Sequence, residues 1–284
     1  MKKSLISLAV LGALSSSMVS YAEEAAPAAK EEKPSYTLAY NVGLFSQYIF
    51  RGLTQTNNHP ALQGGVDFSH DSGFYVGAWG SNISWLSDPY PEPGNDSPYK
   101  SGGSLELDFY GGYKTEIGKS GVGVDVGILQ YYYPGKRDKL MIAKANTTEL
   151  YGALSYGWLQ AKVSTVVSNS AWGVGRYDGS DTSKKADGTY YAELNATLPI
   201  GDWVGGAYAK GTTLIAHVGR QDFAKSVNEP YSYTDYKLGV QKSFDNGVNV
   251  GGYWTKTNAR DSLWTYDGSN IGDSTGTVFV QKTF

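Results

Sequence analysis

Three histidines, His59, His70 and His217, are the only imidazoles in the chain, and cysteine is absent. Protein metal centres gather imidazole, thiolate or carboxylate ligands at short, regular spacings. These histidines fall on a loop, at a strand end and within a strand, with no i, i+4 pair, so no metal site is expected. The lack of cysteine excludes disulfides, thiolate nucleophiles and Cys-based zinc sites. A lipid-facing Ser–His hydrolase would use His217 as its base. No G-x-S-x-G turn supplies its nucleophile, and a Ser–His pair is otherwise defined by geometry that a sequence does not display. Gly118-Lys119-Ser120 ends like a phosphate loop, but Tyr113 stands where that loop needs its first glycine. No catalytic residue and no cofactor is expected.

A second set of residues carries more chemistry, because its members share one parity. In Ser104–Lys114 the odd positions Leu105, Leu107, Phe109, Gly111 and Tyr113 are mostly apolar, and the even positions Glu106, Asp108, Tyr110, Gly112 and Lys114 are mostly polar. Leu159, Ala161, Val163 and Val167 oppose Gln160, Lys162 and Ser164 in the same way. Leu194 and its partners oppose Glu193, and Tyr236, Leu238 and Val240 oppose Asp235 and Lys237. Strict alternation is the signature of strands with one apolar and one polar face. The polar face collects Arg51, Gln63, Asp67, Glu106, Asp108, Asp125, Glu149, Lys162, Glu193, Asp235 and Lys237. Such a face is either the wet side of a soluble sandwich or the lumen of a membrane barrel. In a barrel these are the pore-lining candidates. With Lys114 they comprise seven acids and four bases, a surplus that predicts a mild preference for cations or neutral polar solutes over anions. The opposite possibility is a set of compensating ion pairs that hold a narrow barrel shut.

The elements that must position these residues number about twelve: 36–53, 61–70, 74–85, 103–115, 121–133, 147–156, 158–168, 189–198, 211–221, 234–244, 248–257 and 275–284. Their connections alternate in length. Long polar ones (54–60, 86–102, 134–146, 169–188, 222–233, 258–274) exchange with tight ones (71–73, 116–120, Gly157, 245–247). The connection from Pro199 to about Lys210 departs from this unless the ninth strand starts near Trp203. Long loops at one rim and short turns at the other describe an antiparallel transmembrane β-barrel of the outer-membrane type. Composition agrees. Gly is 36 of 284 residues, Tyr is 23 against 9 Phe, and charged residues are 18%, below the roughly 25% of soluble domains. The mean hydropathy of −0.35 leaves no room for several apolar spans of about 20 residues. A net charge of −3 gives no basic surface for nucleic acid.

Lys2 and Lys3, an apolar run from Leu5 to Leu14 and the small residues up to Ala22 have the form of a cleaved secretory signal over residues 1–22. Residues 23–34 come next as an Ala/Glu/Pro-rich flexible leader, and 35–284 form the barrel. Tyr36, Trp85, Tyr113, Tyr131–Tyr133, Trp158, Tyr190 and Trp254 lie near strand ends, where aromatic girdles form. Phe284 ends the last strand on its apolar side. A terminal aromatic there resembles the signal read by the barrel-assembly machinery. The expected partners are outer-membrane lipid, that machinery and small polar solutes, for a monomeric or weakly oligomeric protein.

The stretch Asn41–Asn82 carries a Y-x-F-R-G run at Tyr48, Phe50, Arg51 and Gly52. Gln55-Thr56 and Pro60-Ala61-Leu62-Gln63-Gly64 lie just beyond it. Together with Leu105–Tyr113 and Leu214–Gln221, it resembles the TorF family of bacterial outer-membrane porins. The resemblance implies a porin barrel in the outer membrane and passive passage of small hydrophilic solutes. A lipid-acting barrel enzyme and a closed structural or adhesion barrel are the alternatives.

Overall fold

Period-two patterning becomes twelve long strands, each with alternate residues buried and exposed. The computed structural model describes residues 34–88, 97–138, 143–175, 185–224, 229–266 and 268–284. The expected signal segment, nearly all of the leader and parts of several long loops lie outside these residues. The strands are β1 (Tyr36–Phe45), β2 (Ala61–His70), β3 (Phe74–Asn82), β4 (Leu105–Glu116), β5 (Val122–Tyr132) and β6 (Thr147–Tyr156). They continue with β7 (Leu159–Val166), β8 (Tyr190–Leu198), β9 (Thr212–Asp222), β10 (Tyr233–Ser243), β11 (Val248–Thr257) and β12 (Thr275–Thr283). Each pairs antiparallel with its chain neighbours, and β1 also pairs with β12, from Asn41 opposite Thr283 to Phe45 opposite Phe279. Closure leaves no edge strand with unpaired backbone groups.

Exposure separates the two faces. Leu62, Val76, Leu154, Leu238 and Val278 point outward, the last with 66% of its surface exposed; Glu106, Glu149 and Asp235, each 1% exposed, point inward. The inner face is crowded by a repeated device: an aromatic ring lies over a glycine on the neighbouring strand. Tyr110 covers Gly77, Tyr75 covers Gly112, Tyr151 covers Gly127 and Phe279 covers Gly251, whereas Gly239 lies against the Cβ of Tyr253; in each pair the two residues are cross-strand partners. A Cβ on any of the first three glycines or on Gly251 would run into the ring, and one on Gly239 into the Tyr253 Cβ. The abundance of Gly and Tyr is therefore a packing solution for a narrow closed sheet.

Three features differ from the expected arrangement. The expected strand 36–53 ends at Phe45, and its remainder forms a separate small hairpin, Ile49–Phe50 with Leu53–Thr54. The connection from Pro199 to the ninth strand contains a short helix, Ile200–Val204, and β9 starts at Thr212. That connection lies at the short-turn rim, so it lengthens one turn without altering the alternation. The expected aromatic girdle is only partly outward. Tyr36, Tyr113, Tyr132, Trp158, Tyr190 and Trp254 are exposed, but Trp85, Tyr131 and Tyr133 are buried in the lumen-side core. For Tyr131 the cause is parity: it shares the inner face of β5 with Leu129 and Asp125.

Candidate functional site

Arg51 sits at the tip of the hairpin that succeeds β1, and that hairpin folds into the barrel. Its two turn residues, Arg51 (φ 46°) and Gly52 (φ 79°), both occupy the left-handed region. This is the requirement of a two-residue I′ turn, and it strains the arginine. Gly52 is needed for a second reason, since a Cβ there would lie 2.5 Å from both Asp235 Cβ on β10 and Thr257 Cγ2 on β11. The tip thus reaches the wall far from the strand that carries it.

The Arg51 guanidinium donates Nη1–H to Glu149 Oε1 (3.0 Å) and Nη2–H to Glu149 Oε2 (2.8 Å) on β6. It also donates to Gln221 Oε1 (2.7 Å) on β9. Its carbon lies 4.2 Å from the centroid of Tyr191, 4.9 Å from Phe50 and 5.0 Å from Trp172. Burial is the largest single influence and disfavours the charge, but Glu149, Tyr131 and Tyr191 together outweigh it and leave the pKa above the ordinary arginine value. Bidentate, charge-assisted bonding of this kind fixes orientation as well as position. Around the tip, Tyr48 donates its hydroxyl to Glu106 Oε1 (2.6 Å), and Gln47 Nε2 donates to Thr275 Oγ1 (2.8 Å). Thr54 N–H donates to Ile271 O (2.8 Å). Tyr48 belongs to a buried cluster with Trp79, Trp85, Leu129, Tyr131 and Tyr133, whereas Leu53 belongs to another with Val166, Phe223, Tyr233, Trp264 and Ile271. The hairpin is wedged between them at the long-loop end.

The structure puts the side chains of Gln63, Asp67, Glu106, Asp108, Asp125, Glu149, Lys162, Glu193, Asp235 and Lys237 on the inner-face parity of their strands. Arg51 reaches the same space from the loop. On the β7–β10 wall these groups form one network. His217 Nε2 lies 2.9 Å from both Asp235 Oδ2 and Tyr191 Oη, and its Nδ1 lies 2.6 Å from Asn195 Oδ1 and 3.6 Å from Glu193 Oε2. Lys162 stands directly opposite Glu193, with its ammonium 4.5 Å from the Tyr151 ring centroid. Lys237 lies 4.9 Å from the Tyr253 ring. His217 is thus an inner-face residue held by polar neighbours.

The β2–β6 wall is built from phenols and carboxylates. Tyr110 donates to Asp67, and Tyr75 donates to Asp125 Oδ1 (2.6 Å) and pairs with the Tyr151 hydroxyl. Lys114 stands opposite Asp125, with its ammonium 5.6 Å from the Tyr75 ring. Asp108, fully buried, has no hydrogen-bond partner on either carboxylate oxygen among the described residues. Its direct cross-strand neighbours are Trp79 on β3 and Tyr131 on β5.

Parity places Tyr191 and Asn195 on the polar face with Glu193, as the structure has them, but does not reveal the inward position of Tyr48, Trp79 and Tyr131, because aromatics suit either face. The available signal was the glycine directly across from a tyrosine, visible only once strand register is known. Among the described residues no group of three His, Asp or Glu is spaced to hold a metal ion.

A family model described as "Bacterial protein of unknown function (Gcw_chp)" matches residues 29–284. No curated protein matches the sequence. Among solved structures, the NanC porin aligns with 10% identity over 87% of this chain and 99% of its own, with a TM-score of 0.47. A KdgM porin in complex with disordered oligogalacturonate aligns with 8% identity over 87% and 98%, at 0.45. OprD of Pseudomonas aeruginosa aligns with 14% identity over 89% and 68%, at 0.36.

Proposed function

The chain belongs to the Gcw_chp family of bacterial proteins of unknown function, and from that premise we propose that it is an outer-membrane porin-like channel for small hydrophilic solutes. The finer TorF assignment is part of the same proposal and rests on the Tyr48–Gly64 motif. One observation carries the reading: a closed barrel of twelve antiparallel strands turns an apolar face outward and a charged face inward. Such a body has no stable place in water, where its apolar belt would be exposed, and a natural one in a bilayer. The inner-face residues, from Gln63 and Asp67 through Lys237, are then the pore lining. Phe284, exposed at the end of the last strand and joined to Tyr40 by backbone bonds, serves as the assembly signal.

In this conformation the Arg51 hairpin narrows the passage. Conduction then needs the hairpin to shift, or is limited to solutes that pass beside it. The alternative of a closed structural barrel draws on the same observation, the hairpin bound to Glu149 and Gln221. Purified protein in a planar bilayer separates the two. Discrete conductance steps, larger after Arg51→Ala, fit the channel. Silence from both the wild type and Arg51→Ala leaves the structural barrel.

A further inference from the structure

The bases Arg51, Lys114, Lys162 and Lys237 share one setting: an aromatic ring near the cation and a carboxylate on the same or the facing strand, which only Arg51 engages in an ion pair. Arg51 has Tyr191 and Glu149. Lys162 has Tyr151 and the opposing Glu193. Lys114 has Tyr75 and the opposing Asp125. Lys237 has Tyr253, with Asp235 two residues away on the same face. Ring and carboxylate both favour a cation that has lost its water.

The same arrangement occurs a fifth time without a base among the described residues. Asp108 is flanked in register by Trp79 on one side and Tyr131 on the other. Glu106 is the next inner-face residue on the strand, and its Oε1 accepts the Tyr48 hydroxyl. Asp108 is 0% exposed, and neither of its oxygens has a partner among the described residues. An ionised carboxylate in such a place is strongly unfavourable unless a cation meets it; without one the group holds a proton.

We propose that the Asp108–Glu106 site receives the ammonium group of an amine-bearing solute, with Asp108 and Glu106 accepting its N–H bonds and Trp79 and Tyr131 forming its walls. The chemistry favours an ammonium over a bare metal ion. The flanking residues are aromatic, and the described residues offer no three-ligand metal cluster. This deepens the channel reading and rests on it only for the solute's route to the site.

The test is thermal unfolding of the purified full chain in detergent, in methylammonium chloride and in tetramethylammonium chloride at equal ionic strength. Tetramethylammonium has the charge but no N–H to donate. A group that binds only the folded state raises the midpoint with concentration. The expected result is a rise of about 2–4 °C, specific to methylammonium and lost in Asp108→Asn. Glu106→Gln, expected to weaken the response, is the second variant should Asp108→Asn not assemble. Asn reproduces the shape of a protonated acid, so an equal methylammonium response in wild type and Asp108→Asn overturns the proposal. An equal response of the wild type to both salts overturns it too. Bilayer conductance without the methylammonium shift defeats this site alone, whereas the shift in a silent barrel defeats the channel reading and leaves the site standing.

Discussion

The two walls of the lumen use the same residue types for opposite ends. On the β7–β10 wall the polar groups meet partners: His217 lies between Asp235, Tyr191 and Asn195, and Lys162 stands opposite Glu193 in register. On the β4 wall Glu106 has a phenol, and Asp108 has no partner among the described residues. Bonded buried polar groups hold strands in register; an unbonded carboxyl is a cost that its neighbours do not offset. The first wall is a lock and the second is a site. The Arg51 hairpin spans both, with Tyr48 on Glu106 and Arg51 on Glu149 and Gln221.

The largest effect is expected from Arg51→Ala, which removes the link between the walls. It leaves Glu149 buried without its cation, a loss of about 3–5 kcal/mol for a broken buried pair. Chemical denaturation in detergent should show that loss, and bilayer conductance should rise as the hairpin leaves the lumen. Unchanged conductance would mean that the hairpin does not restrict the path.

Next comes the direct comparison of two Asp→Asn changes. Asp235→Asn weakens charge-assisted bonds with His217 and Tyr191 and should cost about 1.5–3 kcal/mol. Asp108→Asn replaces an unpartnered carboxyl with a neutral amide of the same shape and should be neutral or stabilising. Denaturation midpoints of the two variants decide the matter, and equal losses would erase the distinction between lock and site.

A smaller loss, about 1 kcal/mol, is expected from Tyr75→Phe, which deletes a hydroxyl that bonds Asp125 and Tyr151 while keeping the ring over Gly112. Tyr75→Ala should cost more, because it also removes the packing ring. Should the two variants melt together, the phenol network and not the ring holds that wall.

The smallest effect is on selectivity. Reversal potentials in a KCl gradient should show a mild preference for K⁺, reduced in Glu106→Gln and Asp108→Asn. Anion selectivity in the wild type would refute the assignment of the acid surplus to the passage.

Much of this barrel was legible in the chain. The segments 61–70, 147–156 and 248–257 coincide with β2, β6 and β11, because alternation starts and stops sharply at turn residues there. The first strand was not legible in full. Residues 46–54 continue a pattern of aromatic and apolar residues compatible with a strand, and only the φ angles at Arg51 and Gly52 reveal a turn. Trp85 and Tyr133 misled for a related reason, since an aromatic near a strand end serves an interfacial belt or a lumenal core equally well.

What the sequence by itself determined is the face of the charged strand residues and the rim of most loops. Both are local properties, since parity assigns the face and connection length assigns the rim. The tertiary structure alone decided which inner-face residues meet. Arg51 and Gln221, 170 positions apart, come together only after the sheet closes and the first loop turns inward. Closure sets a circumference and a register, and these bring Trp79 and Tyr131 to either side of Asp108. No local pattern encodes such a meeting, because it depends on every strand between them taking its place in the ring.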